Sequence, residues 1–416
     1  MQHLITRASF NLTRNCNLRC KYPCFTNGCT IGDMPEEIAY RGVDFLINNA
    51  LASGERQIEI SFWGGEPLLK WELLKKVTLY AEEETRRHNL QVQFGGTTNG
   101  TLLTPEKFDF LDAHKIFFMV SFDGTADTHD KYRVTVNDTG SHEMVRRNMV
   151  EVLKKWPFYR ARVAPTADNA FRFYEDVKYL FDLGFNYIMF SPVYESEWTF
   201  WDWATFESEC RRVIDLMISL KLQGRDVEIE HFKSYQKADD SKWPCGAGRN
   251  YVGIDIDGAI YPCHRFNKFD DNRPWQEKEV CIGHIDHGIT NPEFRQKFID
   301  FHPQCGECDR LQDTPCHGGC YALNYDFTKD ITKHHEGLCN YVDLQKRISS
   351  YYAEQLEKNG LFRPQRPSQM DCVCNFTYYN GPVDPKLLPP NIALDTVALL
   401  LTDLNNRVSR LEATIK

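Results

Sequence analysis

The chain has 416 residues, of which 42% are apolar, a share typical of globular proteins with a sizeable core. Its formal net charge of −9 argues against a phosphate-binding surface, because affinity for nucleic acid depends on Lys and Arg side chains. No secretory signal opens the chain, and no apolar run approaches the roughly 18 residues that span a bilayer. We therefore expect a cytoplasmic protein with no nucleic-acid or membrane partner.

Strand and helix signals alternate along the first half of the chain. Apolar strands are predicted over 7–12, 58–63, 92–98, 115–122, 160–166 and 187–193. Helical periodicity is predicted over 35–51, 66–87, 105–113, 141–155 and 172–183. Repeated βα units with apolar strands indicate a parallel sheet covered by helices. The predicted fold class is α/β, with a partial (β/α)6 TIM-like barrel over residues 1–193.

The sequence changes in character after the predicted barrel. A connecting helical segment is predicted over 194–240, with a helix near 204–222. Short strands, turns and cysteines follow over 241–345. Residues 346–390 complete a helix near 340–359 and continue as an irregular linker rich in Pro and Asn.

The C-terminal stretch 391–416 has a pattern of its own. Its apolar residues step alternately by three and four from Leu394 to Ile415, which is an a/d seam of three heptads. This pattern predicts a coiled-coil-like amphipathic helix. We expect residues 391–415 to contact a partner or a second copy of the chain, and docking of the stripe onto the chain's own body is the alternative.

Short polar and glycine-containing motifs follow the first four predicted strands. They are the cysteine run Cys16–Cys24, the stretch Gly64–Pro67, the turn Thr98–Gly100, and Asp123 with Gly124. Each loop alone has an ordinary structural explanation, such as a glycine turn or an asparagine cap. Because the C-terminal ends of parallel strands share one edge, the four loops together predict an active site at that edge.

The first cysteine group lies in the sequence NCNLRCKYPCFTNGC. Cys16, Cys20 and Cys24 have the spacing C-x3-C-x3-C, and Cys29 follows. In a reducing compartment such cysteines are expected to be thiols or metal ligands instead of disulfides. Three thiolates suit an iron–sulfur cluster that keeps one iron open. A closed zinc site with Cys29 as the fourth ligand remains an alternative for this segment alone.

The segment NLTRNCNLRCKYPCF, together with FWGGEP, resembles the radical S-adenosylmethionine (SAM) superfamily. The resemblance implies that Cys16, Cys20 and Cys24 form the catalytic centre by holding a [4Fe–4S] cluster whose open iron binds SAM. Reductive cleavage of SAM then gives a 5′-deoxyadenosyl radical that abstracts hydrogen from the substrate. The residues implied to contact SAM are Tyr22 or Phe25 at adenine, Gly64, Gly65, Glu66 and Pro67 at the amino group, and Asn99, Ser121 and Asp123 near the ribose and carboxylate.

The motif departs from the usual family signature at Pro23. The sequence CKYPC has three residues between its cysteines, where the family usually has two. Proline fixes φ, removes an N–H and pushes Tyr22 toward extended geometry. A broken site is the alternative interpretation, and the intact GGEP, TTNG and SFDG loops argue against it.

A second cysteine group occupies the predicted 241–345 segment. The stretch from Cys245 to Cys263 has the pattern C-x12-G-x4-C, and CGECDRLQDTPCHGGC follows later. The pair Cys305 and Cys308 alone is also a common zinc arm. Together these patterns resemble the SPASM domain of peptide-modifying radical SAM enzymes, although the x7 spacer before Cys316 is two residues longer than usual.

The SPASM resemblance implies two auxiliary [4Fe–4S] clusters, three clusters in total. One cluster would be held by Cys305, Cys308, Cys316 and Cys339. The other would be held by Cys245, Cys263 and Cys320, with Cys281 as the best candidate for a fourth ligand. Cys372 and Cys374 are expected to be exposed thiols, and Cys210 to be part of the core.

The resemblance predicts an enzyme that modifies a ribosomally synthesised precursor peptide. The C-x3-C-x3-C variant resembles the tyramine-excising spliceases, which cut tyramine from a Tyr-Gly site and leave an α-keto-β-amino amide. Thioether formation, C–C cross-linking and epimerisation are the alternative chemistries, and sulfatase maturation is a more distant one. Because the cysteines begin at residue 16, we expect a separate leader-peptide-recognition protein, together with a reductant such as flavodoxin or ferredoxin.

A hypothesis of another class is a zinc-dependent scaffold or an electron carrier. In that case the cysteines would be structural or redox ligands only, and the seam over 391–415 would recruit partners. Metal content and reductive SAM cleavage distinguish this hypothesis from the enzyme.

Overall fold

The computed structural model describes most of the chain before residue 362. The described residues all fall within one compact unit, Met1–Phe376. Several predicted features lie outside them, namely Pro23, Cys24, Phe25, Cys29, Cys372, Cys374 and the C-terminal seam. The described ranges are 4–22, 32–233, 245–269, 273–305, 308 and 316–361.

A parallel sheet forms the frame of the first half. Its strands are β1 (Arg7–Thr13), β2 (Gln57–Gly64), β3 (Gln91–Thr98), β4 (Ile116–Ser121), β5 (Arg160–Val163), β6 (Tyr187–Phe190) and β7 (Glu228–Ile229). They are neighbours in sequence order, and each pair is parallel. The predicted α/β fold class and its six βα strands are therefore confirmed.

Helices connect the parallel strands, as such crossovers require. The helices of this half are α1 (Glu36–Ser53), α2 (Trp71–Arg87), α3 (Pro105–Ala113), α4 (Ala126–Tyr132), α5 (His142–Lys155), α6 (Phe173–Leu183) and α7 (Phe200–Leu222). The short helix α4 was not predicted. No helix in the described part of the chain is long and apolar enough to cross a membrane.

The second cysteine region extends the same sheet. The strands β8 (Tyr251–Ile254), β9 (Ala259–Tyr261), β10 (Gly283–His284) and β11 (Gly288–Ile289) follow one another outward from β1. β8 is parallel to β1, and the remaining pairs are antiparallel. The described residues of this half also form the helices α8 (Pro292–Ile299), α9 (Tyr321–Thr328) and α10 (Glu336–Lys358).

Residues of β5 and β6 alternate between the two faces of the sheet. On β5, Ala161 and Val163 are buried in the apolar core, as is Phe190 on β6. Their neighbours Arg162 and Met189 are only half-buried. Because successive side chains of a strand point to opposite faces, these two lie on the face away from the helices.

Several element ends differ from the prediction for local reasons. β5 and β6 end earlier than predicted, before Pro165 and Pro192, which lack the N–H that a ladder needs. The predicted helix from residue 66 begins as a 3-10 turn over Pro67–Lys70, with the Glu66 side chain accepting from the N–H of Leu68 at 3.0 Å. Helix α7 begins at Phe200 because a capping box precedes it.

The loop after β4 is fixed by a buried carboxyl on α6. Asp176 Oδ1 accepts hydrogen bonds from the N–H and the hydroxyl of Thr125, at 2.9 and 2.7 Å. Gly124 has φ of +116°, and a Cβ there would lie 2.3 Å from Asp176 Cβ. Burial raises the pKa of Asp176 to about 6 despite these donors. The loop that carries Asp123 is therefore held against α6.

We predict that Asp176 makes stability depend on pH. Its pKa is raised in the folded state, so the folded chain binds more protons than the unfolded chain between about pH 4 and 6. The contribution of Asp176 to the free energy of unfolding is therefore greatest at low pH. It is lost as pH rises through 6, and it falls by about 1 kcal/mol between pH 5 and 7. Asp176→Asn keeps the acceptor oxygen and should remove this dependence. Anaerobic melting curves of both proteins at several pH values test it, and a constant Tm difference would contradict it.

Candidate active site

The loops after β1 and β2 are joined through their backbones. The N–H of Gly65 donates to the carbonyl of Thr13 at 2.8 Å, and the N–H of Glu66 donates to the carbonyl of Asn15 at 2.9 Å. These bonds place the GGEP stretch against the chain that enters the first cysteine run. The predicted proximity of these two loops is therefore observed.

Glu66 connects the loop after β2 to the loop after β3. Its carboxylate is fully buried and accepts from the Thr98 hydroxyl at 2.8 Å and from the N–H of Asn99 at 2.7 Å. The N–H of Leu68 is its third donor. Burial raises the pKa of Glu66 to about 7, even though these donors and Lys107 lower it. Glu66 therefore holds the two loops together as a buried acid.

Asn99 extends the same network to the first cysteine. Its Nδ2 donates to Asn17 Oδ1 at 2.8 Å and lies 3.8 Å from Cys16 Sγ. Asn17 in turn donates to the Thr101 hydroxyl at 2.8 Å, and Thr101 donates back to Asn99 Oδ1. The loops after β1, β2 and β3 thus form one hydrogen-bonded unit, as their positions in the sequence predict.

The thiols of the first cysteine run fit a positively charged metal centre. Cys16 and Cys20 are half-buried. Burial, together with the charges of Glu66 and Cys20, raises the pKa of Cys16 to about 12. The N–H of Leu18, whose nitrogen lies 3.4 Å from Cys16 Sγ, favours the thiolate form. A bound metal would supply the charge that keeps such thiols ionised.

The loop after β4 carries a buried ion pair. Arg133 donates to both carboxylate oxygens of Asp123, which is fully buried, and the Tyr22 hydroxyl donates to Asp123 Oδ2 at 2.9 Å. Burial would raise the pKa of Asp123, but the Arg133 guanidinium outweighs it and lowers that pKa. The ring of Tyr22 stacks on Tyr132 at 4.4 Å. Asp123 therefore anchors Tyr22 of the cysteine run.

Ser121 ends β4 at the same edge of the sheet. It is buried and pairs in register with Arg162 of β5. Pro67, which directly follows Glu66, is also buried. The structure thus brings together the predicted residues Cys16, Gly64, Gly65, Glu66, Pro67, Asn99, Ser121, Asp123 and Tyr22 at one edge of the sheet.

A second buried network joins β1 to β8 and was missed from the sequence. Asp255 is fully buried, and its carboxylate accepts from Asn11 at 2.7 Å and from Arg14. Asp255 directly follows β8, and Arg14 directly follows β1. The only sequence signal is a charged residue at the end of each apolar strand, and their pairing depends on the β1–β8 contact.

The second cysteine region contains a cavity lined by thiols. Its volume is about 150 Å³, and it is lined by Cys305, Cys308, Cys316, Gly318, Gly319, His334, Leu338, Cys339 and Val342. These include all four cysteines that were predicted to share one auxiliary cluster. His334, which the sequence analysis missed, lies with Nδ1 3.7 Å from Cys305 Sγ. Four thiols around one apolar-walled cavity fit an iron–sulfur cluster.

Among the described residues, no group of three or more His, Cys, Asp or Glu side chains is arranged to hold a single metal ion. The four thiols are among the residues that line the cavity. Cysteine thiolates are the usual ligands of iron–sulfur clusters, so the donor set suits a cluster in its chemistry.

The remaining predicted auxiliary ligands are also in this region. Cys245 and Cys263 are buried, and Cys320 is half-buried just before α9. Cys281 is buried, with its thiol 3.2 Å from the carbonyl oxygen of Gly283, and burial raises its pKa. The assignment of these four residues to one cluster stays a prediction. Cys210 is fully buried on α7, as expected for a core residue.

We predict strong coupling between Asp123 and Arg133. Removing one member of a buried ion pair leaves the other charge unpaired, which costs about 3–5 kcal/mol. Asp123→Asn and Arg133→Met should each destabilise the protein by about this amount. The double variant should lose much less than the sum, because it buries no unpaired charge. Chemical unfolding under anaerobic conditions measures the cycle, and additive losses would show that the pair is not coupled.

Comparison with protein families finds one matching model. Residues 10–160 match the model of the radical SAM superfamily. The chain is 23% identical over 322 residues to the cysteine-type anaerobic sulfatase-maturating enzyme of Clostridium novyi, covering 74% of this chain and 85% of that protein. It is also 23% identical over 401 residues to the serine-type anaerobic sulfatase-maturating enzyme of Bacteroides thetaiotaomicron, covering 85% and 91%.

Solved structures share the fold. Native anSMEcpe with bound AdoMet and the Cp18Cys peptide superposes with a TM-score of 0.67 at 20% identity, covering 85% of this chain and 98% of that one. Streptococcus suis SuiB bound to the precursor peptide SuiA superposes with a TM-score of 0.54 at 14% identity, covering 81% and 76%. The chain therefore matches the radical SAM superfamily over residues 10–160 and resembles anaerobic sulfatase-maturating enzymes over most of its length.

Proposed function

We propose that this protein is a radical SAM enzyme that modifies a peptide or protein substrate. The observation that carries the proposal is the network in which Glu66 and Asn99 join the GGEP loop to Cys16. It lies at the C-terminal edge of the parallel sheet, where sites of barrel-like folds are built. The match of residues 10–160 to the radical SAM superfamily supports the same activity.

In this proposal Cys16, Cys20 and Cys24 would hold a [4Fe–4S] cluster beside bound SAM, which would supply a 5′-deoxyadenosyl radical on reduction. The backbone of Gly64–Pro67 would face the amino group of SAM, and Glu66 would keep that loop in place. Asn99, Ser121 and Asp123 would lie near its ribose and carboxylate. Because Tyr22 is buried and donates to Asp123, we assign the adenine contact to Phe25 in preference to Tyr22.

We also propose two auxiliary clusters in the second cysteine region. The cavity lined by Cys305, Cys308, Cys316 and Cys339 supports one of them. The other would use Cys245, Cys263 and Cys320, with Cys281 as the candidate fourth ligand. Auxiliary clusters can pass electrons to or from a radical site or anchor a substrate, and burial sets their potentials.

The specific chemistry that we propose is excision of tyramine from a Tyr-Gly site of a ribosomal precursor peptide. Its support is the C-x3-C-x3-C spacing, in which Pro23 separates Tyr22 from Cys24. A separate leader-recognition protein and a flavodoxin or ferredoxin would complete the system in the cytoplasm. Thioether formation, C–C cross-linking and epimerisation are the alternatives within the same enzyme class.

Sulfatase maturation is a second candidate, and the comparisons favour it more than the motifs do. The similarity to sulfatase-maturating enzymes covers 74% and 85% of this chain in the two relatives described above. At 23% identity the reaction and substrate need not be shared. The motif CKYPC and the sequence similarity therefore favour different substrates, which a direct experiment separates.

We predict that the reaction leaves a mass change on the substrate. The chain would be co-expressed anaerobically with Tyr-Gly precursor peptides or with a sulfatase carrying Cys or Ser at its maturation site. Loss of one tyramine unit would confirm splicing, and loss of two hydrogens from a peptide would indicate cross-linking. Oxidation of the sulfatase residue would establish maturation. Glu66→Gln should weaken each reaction, and a substrate modified equally by a Cys16→Ala variant would contradict the proposal.

We predict about twelve iron atoms in each anaerobically purified chain, because three [4Fe–4S] clusters contain four each. Cys316→Ala, which removes one cavity thiol, should lower the content toward about eight while keeping reductive SAM cleavage. Cys16→Ala should lower iron similarly and abolish SAM cleavage. Cys210→Ala, in the core of α7, is the matched control. Stoichiometric zinc with little iron and no SAM cleavage would establish the scaffold hypothesis instead.

A further inference from the structure

Arg162 places a charged side chain on the inner face of the parallel sheet. Its neighbours along β5, Ala161 and Val163, are buried in the core on the helix side. Arg162 therefore lies on the opposite face, between Ser121 of β4 and Met189 of β6 in the strand register. It is one residue from the end of β5, at the edge where the candidate active site lies.

A carboxylate whose charge acts on Arg162 is that of Asp123, and it is already paired with Arg133. The neighbouring Arg265 donates to Glu195 at 2.8 Å. Within the part of the chain that the structure describes, no side chain or carbonyl forms a hydrogen bond or ion pair with the Arg162 guanidinium. Burial, together with the neighbouring charges of Arg133 and Arg265, lowers the pKa of Arg162 to about 10.

This arrangement is unusual for a structural arginine. A guanidinium has five N–H donors, and a partly buried one without acceptors is costly unless something outside the protein satisfies it. Arg160 provides the contrast on the same face of β5, because its guanidinium lies 3.8 Å from Glu230. Of the two arginines, Arg162 is the one that pairs in register with Ser121, and the charges of Asp123 and Tyr22 act on it.

We propose that Arg162 binds a carboxylate of the substrate, namely an acidic side chain or C-terminal carboxylate of a peptide close to the modified residue. The guanidinium fork matches a carboxylate in a bidentate pair, which fixes position and orientation. This assignment rests on the proposed function, in which the substrate is a peptide or protein. SAM also carries a carboxylate, so the experiment measures SAM binding separately.

The test uses two synthetic peptide libraries with a central Tyr, Cys or Ser. One library contains Asp and Glu at the flanking positions, and the other has Asn and Gln instead. Peptides retained by the anaerobically purified protein in the presence of SAM are identified by mass spectrometry. The wild type should enrich acidic peptides by about tenfold, as expected for a charge-assisted pair. Arg162→Met should remove this preference, and Arg162→Glu should favour peptides with Lys or Arg from a third, basic library.

Arg160→Met is the matched control and should keep the acidic preference. The dissociation constant for SAM, measured by equilibrium dialysis, should change less than about twofold in Arg162→Met. The melting temperature of Arg162→Met should be no lower than that of the wild type, because no hydrogen bond of the described chain is lost. These two measurements separate lost recognition from a lost site or a lost fold.

Three results would overturn the proposal. If the wild type and Arg162→Met enrich acidic peptides equally, Arg162 does not bind the substrate carboxylate. That result would not contradict the proposal that the enzyme modifies a peptide. Weakened SAM binding with unchanged peptide selection would assign the guanidinium to the SAM carboxylate. Retention of no peptide from any library, with normal reductive SAM cleavage, would reject the peptide substrate itself and with it this role.

Discussion

The buried carboxyl of Glu66 is the interaction on which the candidate site depends. It receives two backbone N–H groups and the Thr98 hydroxyl, so it fixes the loops after β2 and β3 in one arrangement. Asn99 connects these two loops to the loop after β1, because its side chain donates to Asn17 and lies beside Cys16 Sγ. Burial of an acid is costly unless its oxygens are satisfied, and here every bond that satisfies it also positions a loop of the site.

Close backbone contact explains why two glycines precede this acid. A Cβ on Gly64 would lie 2.2 Å from the carbonyl oxygen of Thr13, and Gly64 has φ of +139°. A Cβ on Gly65 would lie 2.3 Å from the carbonyl oxygen of Asn15. No side chain fits where these backbones meet. The chain that leads into the cysteines therefore requires glycine at the end of β2 and directly after it.

The sequence predicted the features that depend on neighbouring residues. Apolar runs located the first six strands of the parallel sheet, and motifs after the first four located the candidate site, because parallel strands end at one edge. The ion pairs Arg14–Asp255 and Arg133–Asp123 were not predicted, because such partners depend on which loops meet in the folded chain. Arg162 was also missed. β5 has only four residues, so its alternating side chains can be assigned to a face of the sheet only when the neighbouring strands are known.

The sheet also links the two cysteine regions. β8 pairs with β1 in parallel, and Asp255 at its end holds Asn11 and Arg14 of the chain that leads to Cys16. Cys263 follows β9, the next strand of the same sheet. Backbone hydrogen bonds between β1 and β8 therefore place the chain that leads to Cys16 beside the strand that precedes Cys263. The relation between the two cysteine regions depends on strand pairing within one sheet and not only on loops.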